Sequence, residues 1–216
     1  MKVYLMPGMG AKSTIFRGLS LPPDTEPVYM EWLMPEHGET LSHYAERLIT
    51  VFRIETGSVL LGMSFGGLVV REIAALLSAE KLILISTIKY ASEMPPHYRF
   101  VKPFRPGLWV PLSPVLKPGR TARVVPVKRV KKRLMLYEKY LAIRDSQYFR
   151  WAVEQFLNWQ SPPLAVPFIH LHGTADRILP VKYLQEPVFK LEGLSHLMVM
   201  THARRLSEVI EPFLKS

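Results

Sequence analysis

The sequence predicts an α/β protein: about six strands in a mainly parallel sheet, helices on both faces, and a helical insertion placed as a cap. Three observations point there. Short apolar runs alternate with longer stretches of helical periodicity, the pattern of strands joined by crossover helices. At 216 residues, 48% hydrophobic and 21% charged, the chain suits one globular domain with a sizeable core. The composition also breaks sharply in the middle. From Met94 to Tyr137 there are eleven Lys or Arg, no Asp or Glu, and eight of the nineteen prolines.

The elements follow in order. "KVYLM" is a short strand ended by Pro7-Gly8, and "PVYMEWL" is a second strand before Met34-Pro35. Leu41, Tyr44, Ala45, Leu48 and Phe52 recur at helical spacing behind Thr40, a good N-cap. "SVLLG" is a strand; Leu68, Val69, Ile73, Leu76 and Leu77 form a helical stripe; "KLILIS" is another strand. Two helical patterns occupy the middle of the chain. One carries Val130, Leu134, Tyr137 and Leu141. The other carries Phe149, Ala152, Val153, Phe156 and Leu157, capped by Asp145 or Ser146 and stopped by Pro162-Pro163. "VPFIHLHG" and "PVFKLE" complete the strands. A last helix places Val199, Ala203, Leu206, Ile210 and Phe213 on one face. The core is assigned to residues 1–87 and 165–216, and the basic, proline-rich helical cap to 88–164.

Composition narrows the function classes. With no cysteine there is no disulfide framework, no thiolate nucleophile and no thiolate metal site. No apolar run approaches the ~20 residues of a membrane span. The first residues read as a strand and not as a secretory leader, so a cytoplasmic location is expected. The net charge of +10 is concentrated in the basic stretch, the rest of the chain being close to neutral. Such a stretch can be a solvated face, a cap that attracts an anionic substrate, or a contact for an anionic membrane surface. No nucleic-acid module accompanies it. Nothing assigns an oligomeric state.

In parallel sheets, sites form beyond the carboxyl ends of the strands. The segment "GMSFGG" has a strand before it and a helix after it, and it sets Ser64 between Gly62 and Gly66. Small neighbours let strand and helix approach closely, so the hydroxyl stands clear above the sheet. A serine at its ordinary pKa needs a base and an acid that orients the base. The chain has three aspartates, Asp24, Asp145 and Asp176, and Asp145 is explained as a cap. Asp176 follows a strand in "HGTADRILP". Only His196 and His202 come later in the chain, and His196 lies in the turn after a strand, in "GLSHLMV". Ser64, Asp176 and His196 thus each follow a strand of one sheet, in the chain order serine, acid, histidine.

With these three motifs the sequence resembles a compact α/β-hydrolase, over nearly the whole chain except the insert. The resemblance implies a variable helical cap at the insert and a six-stranded sheet that begins at the family's third strand. It implies backbone oxyanion donors at Met9, in "YLMPGMG", and at Phe65. The family often has His-Gly where this chain has Pro7-Gly8. The expected chemistry is hydrolysis of an ester or thioester through an acyl-enzyme, with no cofactor and no metal. A serine at position 64 argues against dehalogenase chemistry, which uses a carboxylate at the corresponding strand-to-helix turn. The alternatives are C–C hydrolysis or perhydrolysis on the same triad, or a hydrolase-like scaffold that binds a ligand.

Among the remaining features, His170 and His172 share one strand face and are expected as a packed, hydrogen-bonded pair, there being no acidic cluster for a metal. His202 is expected at the surface. Trp151 and Trp159 are candidates for core or for the wall of an acyl pocket.

Overall fold

The computed structural model describes residues 1–101, 118–124 and 126–216; Lys102, Arg105 and Lys117 of the basic stretch lie outside them. Six strands form one sheet: β1 (Lys2–Met6), β2 (Glu26–Tyr29), β3 (Val59–Met63), β4 (Lys81–Ile85), β5 (Phe168–Gly173) and β6 (Phe189–Leu191). Their order is β2-β1-β3-β4-β5-β6, and every pairing is parallel.

Alternation along the strands divides the core in two. Tyr4, Met6, Leu60, Leu82 and Leu84 face α1 (Leu41–Phe52) and α2 (Phe65–Leu76). Val3, Leu5, Val59, Leu61, Ile83 and Ile85 share the other layer with Ile15, Phe16, Leu206, Ile210 and Leu214. Helices therefore cover both faces, and the central strands are apolar on both sides, as parallel strands must be. Thr40 caps α1 by accepting the His43 amide at 3.2 Å.

Between β4 and β5 lie α3 (Pro96–Val101), α4 (Pro118–Val124), α5 (Lys128–Tyr140) and α6 (Ser146–Asn158). Asp145 caps α6, with Oδ1 accepting the amides of Gln147 at 2.7 Å and Tyr148 at 3.0 Å. The buried face of α6 (Tyr148, Phe149, Trp151, Ala152) joins the same core layer as α2. The return towards β5 is tied to α2: Trp159 Nε1 donates to Glu72 at 2.7 Å, and Arg71 donates to the Pro162 carbonyl at 2.6 Å.

Three elements differ from the sequence expectation. The second strand ends at Tyr29. It is an edge strand, and beyond it the chain turns inward to bury Met30 and Trp32. Helix α6 ends at Asn158, before the prolines, where Trp159 leaves the helix to reach Glu72. The last helix is two. His202, at φ −141°, separates α7 (Met198–Thr201) from α8 (Ala203–Lys215).

Candidate active site

The site lies where β1, β3, β5 and β6 end. Ser64 is the turn between β3 and α2. Its backbone sits at φ 53° and ψ −123°, a conformation that costs a non-glycine residue about 1–3 kcal/mol. The surroundings hold it there. Ser64 donates its amide to Ile85 O at 2.9 Å, and Thr87 Oγ1 donates to Ser64 O at 2.7 Å. A Cβ on Gly62 would stand 2.5 Å from Gly66 O, and one on Gly66 would run into the carbonyls of Met6 and Pro7. Both glycines are therefore required by the closeness of β1, β3 and α2.

His196 and Asp176 reach Ser64 from the turns after β6 and β5. His196 Nε2 is 3.0 Å from Ser64 Oγ, and His196 Nδ1 is 2.8 Å from Asp176 Oδ2. With a carboxylate at Nδ1, the neutral ring carries its proton there and leaves Nε2 free to accept from the serine. Asp176 is 4% exposed and His196 8%. Burial alone would raise the Asp176 carboxyl. Hydrogen bonds from His172 and His196, with the attraction of the His196 ring, overcome this and hold it well below the usual carboxylate range. The structure thus brings together the three residues that the strand-end argument singled out.

Met9 and Phe65 flank Ser64. Neither amide has a protein acceptor among the described residues. The Met9 loop is held by neighbours that the sequence did not reveal as functional. Trp32 Nε1 donates to Gly8 O at 3.0 Å, and the Gly10 amide donates to Tyr148 Oη at 3.0 Å. The Ala142 amide donates to Gly10 O at 2.7 Å, and the Lys12 amide to Tyr140 O at 2.7 Å. Phe65 turns its ring inward against Trp32, with ring centroids 5.4 Å apart. There was no sequence signal for Trp32, which the pattern places inside a strand. For Tyr148 there was none either, since it lies 138 residues from Gly10.

A cavity of about 300 Å³ opens over Ser64, and its walls are almost wholly apolar, with Met9, Met63, Phe156, Leu179 and Met200 among them. Trp151 and Trp159 are buried in the core and do not line it. His170 and His172 are buried and bond backbone carbonyls, Thr87 O at 3.1 Å and Leu179 O at 2.7 Å. His202 is exposed beside Thr201. Among the described residues one cluster, Glu36, Glu39 and His43, has metal-like spacing. Arg47 contacts both of its carboxylates, at 3.3 and 2.8 Å, and supplies the positive charge itself. No helix among the described residues is long and apolar enough to cross a membrane.

No protein-family model matches the chain, and no curated protein sequence matches it. Solved structures do. An esterase from Thermogutta terrifontis is 15% identical with a TM-score of 0.72, over 100% of this chain and 89% of that one. A hydrolase from Pseudomonas aeruginosa PA01 is 14% identical with a TM-score of 0.73, over 100% and 90%. A bromoperoxidase from Bacillus anthracis is 15% identical with a TM-score of 0.69, over 100% and 92%.

Proposed function

Starting from the α/β-hydrolase fold that this chain has, we propose that it is a serine hydrolase that cleaves an ester or thioester through an acyl-enzyme. The observation that carries this reading is the unbroken hydrogen-bond chain from Ser64 Oγ through His196 to Asp176, beside two amides with no other acceptor. A scaffold that only binds has no use for a strained serine aligned on a buried histidine–carboxylate pair.

The steps follow from the atoms. Ser64 Oγ attacks the carbonyl carbon while its proton passes to His196 Nε2. Asp176 holds the ring orientation and stabilises the imidazolium. The amides of Met9 and Phe65 receive the oxyanion, each donor lowering the barrier by about 3 kcal/mol. His196 gives its proton to the departing oxygen or sulfur as that bond breaks. Water, deprotonated by His196, then attacks the acyl-enzyme, and Ser64 regains its proton. The apolar cavity suits the acyl chain, and its methionines adapt to chain shape.

The test is steady-state hydrolysis of nitrophenyl esters of increasing acyl length. The wild type should turn over at least the short and medium chains, and Ser64→Ala should lose about 10⁴-fold or more in kcat. Equal rates for the two proteins would assign the hydrolysis elsewhere and leave the scaffold reading.

A further inference from the structure

A second cavity of about 250 Å³ adjoins the first, and His196, Tyr137, Ile178 and Leu197 border both. Ser64, Met9 and Phe65 line the first cavity, and none of them lines the second. In the reaction proposed above, the acyl carbon stays with the serine and the oxyanion donors. The leaving group departs on the side of the histidine that protonates it. The second cavity is therefore placed for the leaving group.

Its walls are apolar (Leu134, Ala175 and Leu197 among them) but for Ser195, the shared His196 and Tyr137, and one formal charge, Arg177. Arg177 is exposed, and its guanidinium has no ion pair or hydrogen bond among the described residues. The neighbouring Asp176 does not neutralise it, because both of its oxygens are taken by His196, His172 and the amides of Ile178 and Leu179. The same wall is built by α5, which contributes Leu134 and Tyr137 and carries exposed Lys128 and Lys131 one or two turns earlier. Up to Tyr137 that helix belongs to the stretch with eleven basic and no acidic residues, and its one acidic residue, Glu138, is paired with Arg144. A positive field over one side of the scissile bond favours a negative partner and speeds its arrival.

We propose that Arg177 is a specificity-determining residue, and that the preferred substrates are esters or thioesters whose alcohol or thiol carries a phosphate or carboxylate. This rests on the serine-hydrolase reading. The guanidinium would pair with the anion while His196 protonates the departing atom, so the charge is read on the leaving group and not on the acyl chain.

A matched pair of substrates tests it: 1-butanoylglycerol 3-phosphate and 1-butanoylglycerol, which share the ester bond and differ in the phosphate. The wild type should prefer the phosphate ester by about tenfold in kcat/KM at low salt. The preference should shrink as ionic strength rises from about 0.02 M to about 0.5 M. Arg177→Gln should bring the ratio to about one. Arg204→Gln, at an exposed arginine of α8 that lines neither cavity and is paired with Glu208, should keep it. Turnover of both esters at equal kcat/KM by the wild type would overturn the inference and leave the hydrolase reading intact. A preference that survives in Arg177→Gln would overturn the assignment to Arg177 and move the recognition to the basic helices. No turnover of either ester, with no labelling of Ser64 by a fluorophosphonate, would overturn both.

Discussion

Four donors converge on the two oxygens of Asp176. Oδ1 takes the amides of Ile178 and Leu179, at 2.8 and 3.0 Å, and Oδ2 takes His196 at 2.8 Å and His172 at 3.2 Å. In the proposed reaction only the bond to His196 lies on the path of the proton, and the others hold the carboxylate in place to orient the ring. His172→Phe should therefore lower kcat/KM by about tenfold through a looser His196, with His172→Gln restoring much of it. The two effects are read in steady-state kinetics. Stability carries a second signature. A carboxyl held below its unfolded value contributes stability above about pH 3.9, and this is lost as pH falls towards the folded value. Without the His172 donor the folded value rises towards the unfolded one, so the drop in urea midpoint below about pH 3.9 should be smaller, and should level off at a higher pH, in His172→Phe than in the wild type. Ser64, Asp176 and His196 were legible in the sequence because the chain has so few aspartates and only two histidines beyond Asp176. The role of His172 was not, because it depends on a loop that folds back to bring Leu179 O and Asp176 Oδ2 to one ring nitrogen.

The Met9 loop is an element held by other elements. Residues 7–12 hang between the segment after β2, through Trp32, and the turn from α5 into α6, through Tyr140, Ala142 and Tyr148. Gly10 is at φ +65°, and a Cβ there would come within 2.6 Å of the Phe149 ring. The turn from α5 into α6 thus sets the position of the Met9 loop, while Tyr137 of α5 and Phe156 of α6 line the cavity. Tyr148→Phe keeps the ring but leaves the Gly10 amide buried without an acceptor, a cost of about 1–3 kcal/mol. Thermal unfolding should show that loss. Kinetics should show a kcat lowered by about tenfold with little change in KM, because the donor serves the transition state more than the bound ester. At this scale the periodicity of the sequence found the helices and strands well. It missed the early end of β2 and the break at His202, because both follow from what the backbone must reach and not from local spacing. A strand pattern over Met30 and Trp32 gives no hint that Trp32 leaves the sheet to bind Gly8 O.

Across the molecule, the polar groups buried behind the site make its stability depend on pH. His170 lies beneath the sheet's carboxyl end, with its ring 5.5 Å from that of His172. Burial, with the nearby His172 and Lys89, pushes its pKa down from 6.5 to about 3. The unfolded chain therefore binds this proton first, and native stability falls as pH drops from about 6.5 towards about 3. Urea midpoints measured down that range should fall less steeply in His170→Gln than in the wild type, even if the variant starts lower. Lys89 itself is fully buried, paired with Glu93 at 2.9 Å and bonded to Gln185 O, and so ties the end of β4 to the loop before β6. The alternation of strands and helices made this architecture readable from the sequence, and the six-stranded parallel sheet is as expected. The proposed function requires Ser64 to be a nucleophile activated by His196 and Asp176. The most direct measurement is intact mass after exposure to a fluorophosphonate. The wild type should gain one phosphonyl group, Ser64→Ala none, and His196→Ala one only at a rate slower by orders of magnitude. An unlabelled wild type, or equal labelling of wild type and Ser64→Ala, would contradict the account.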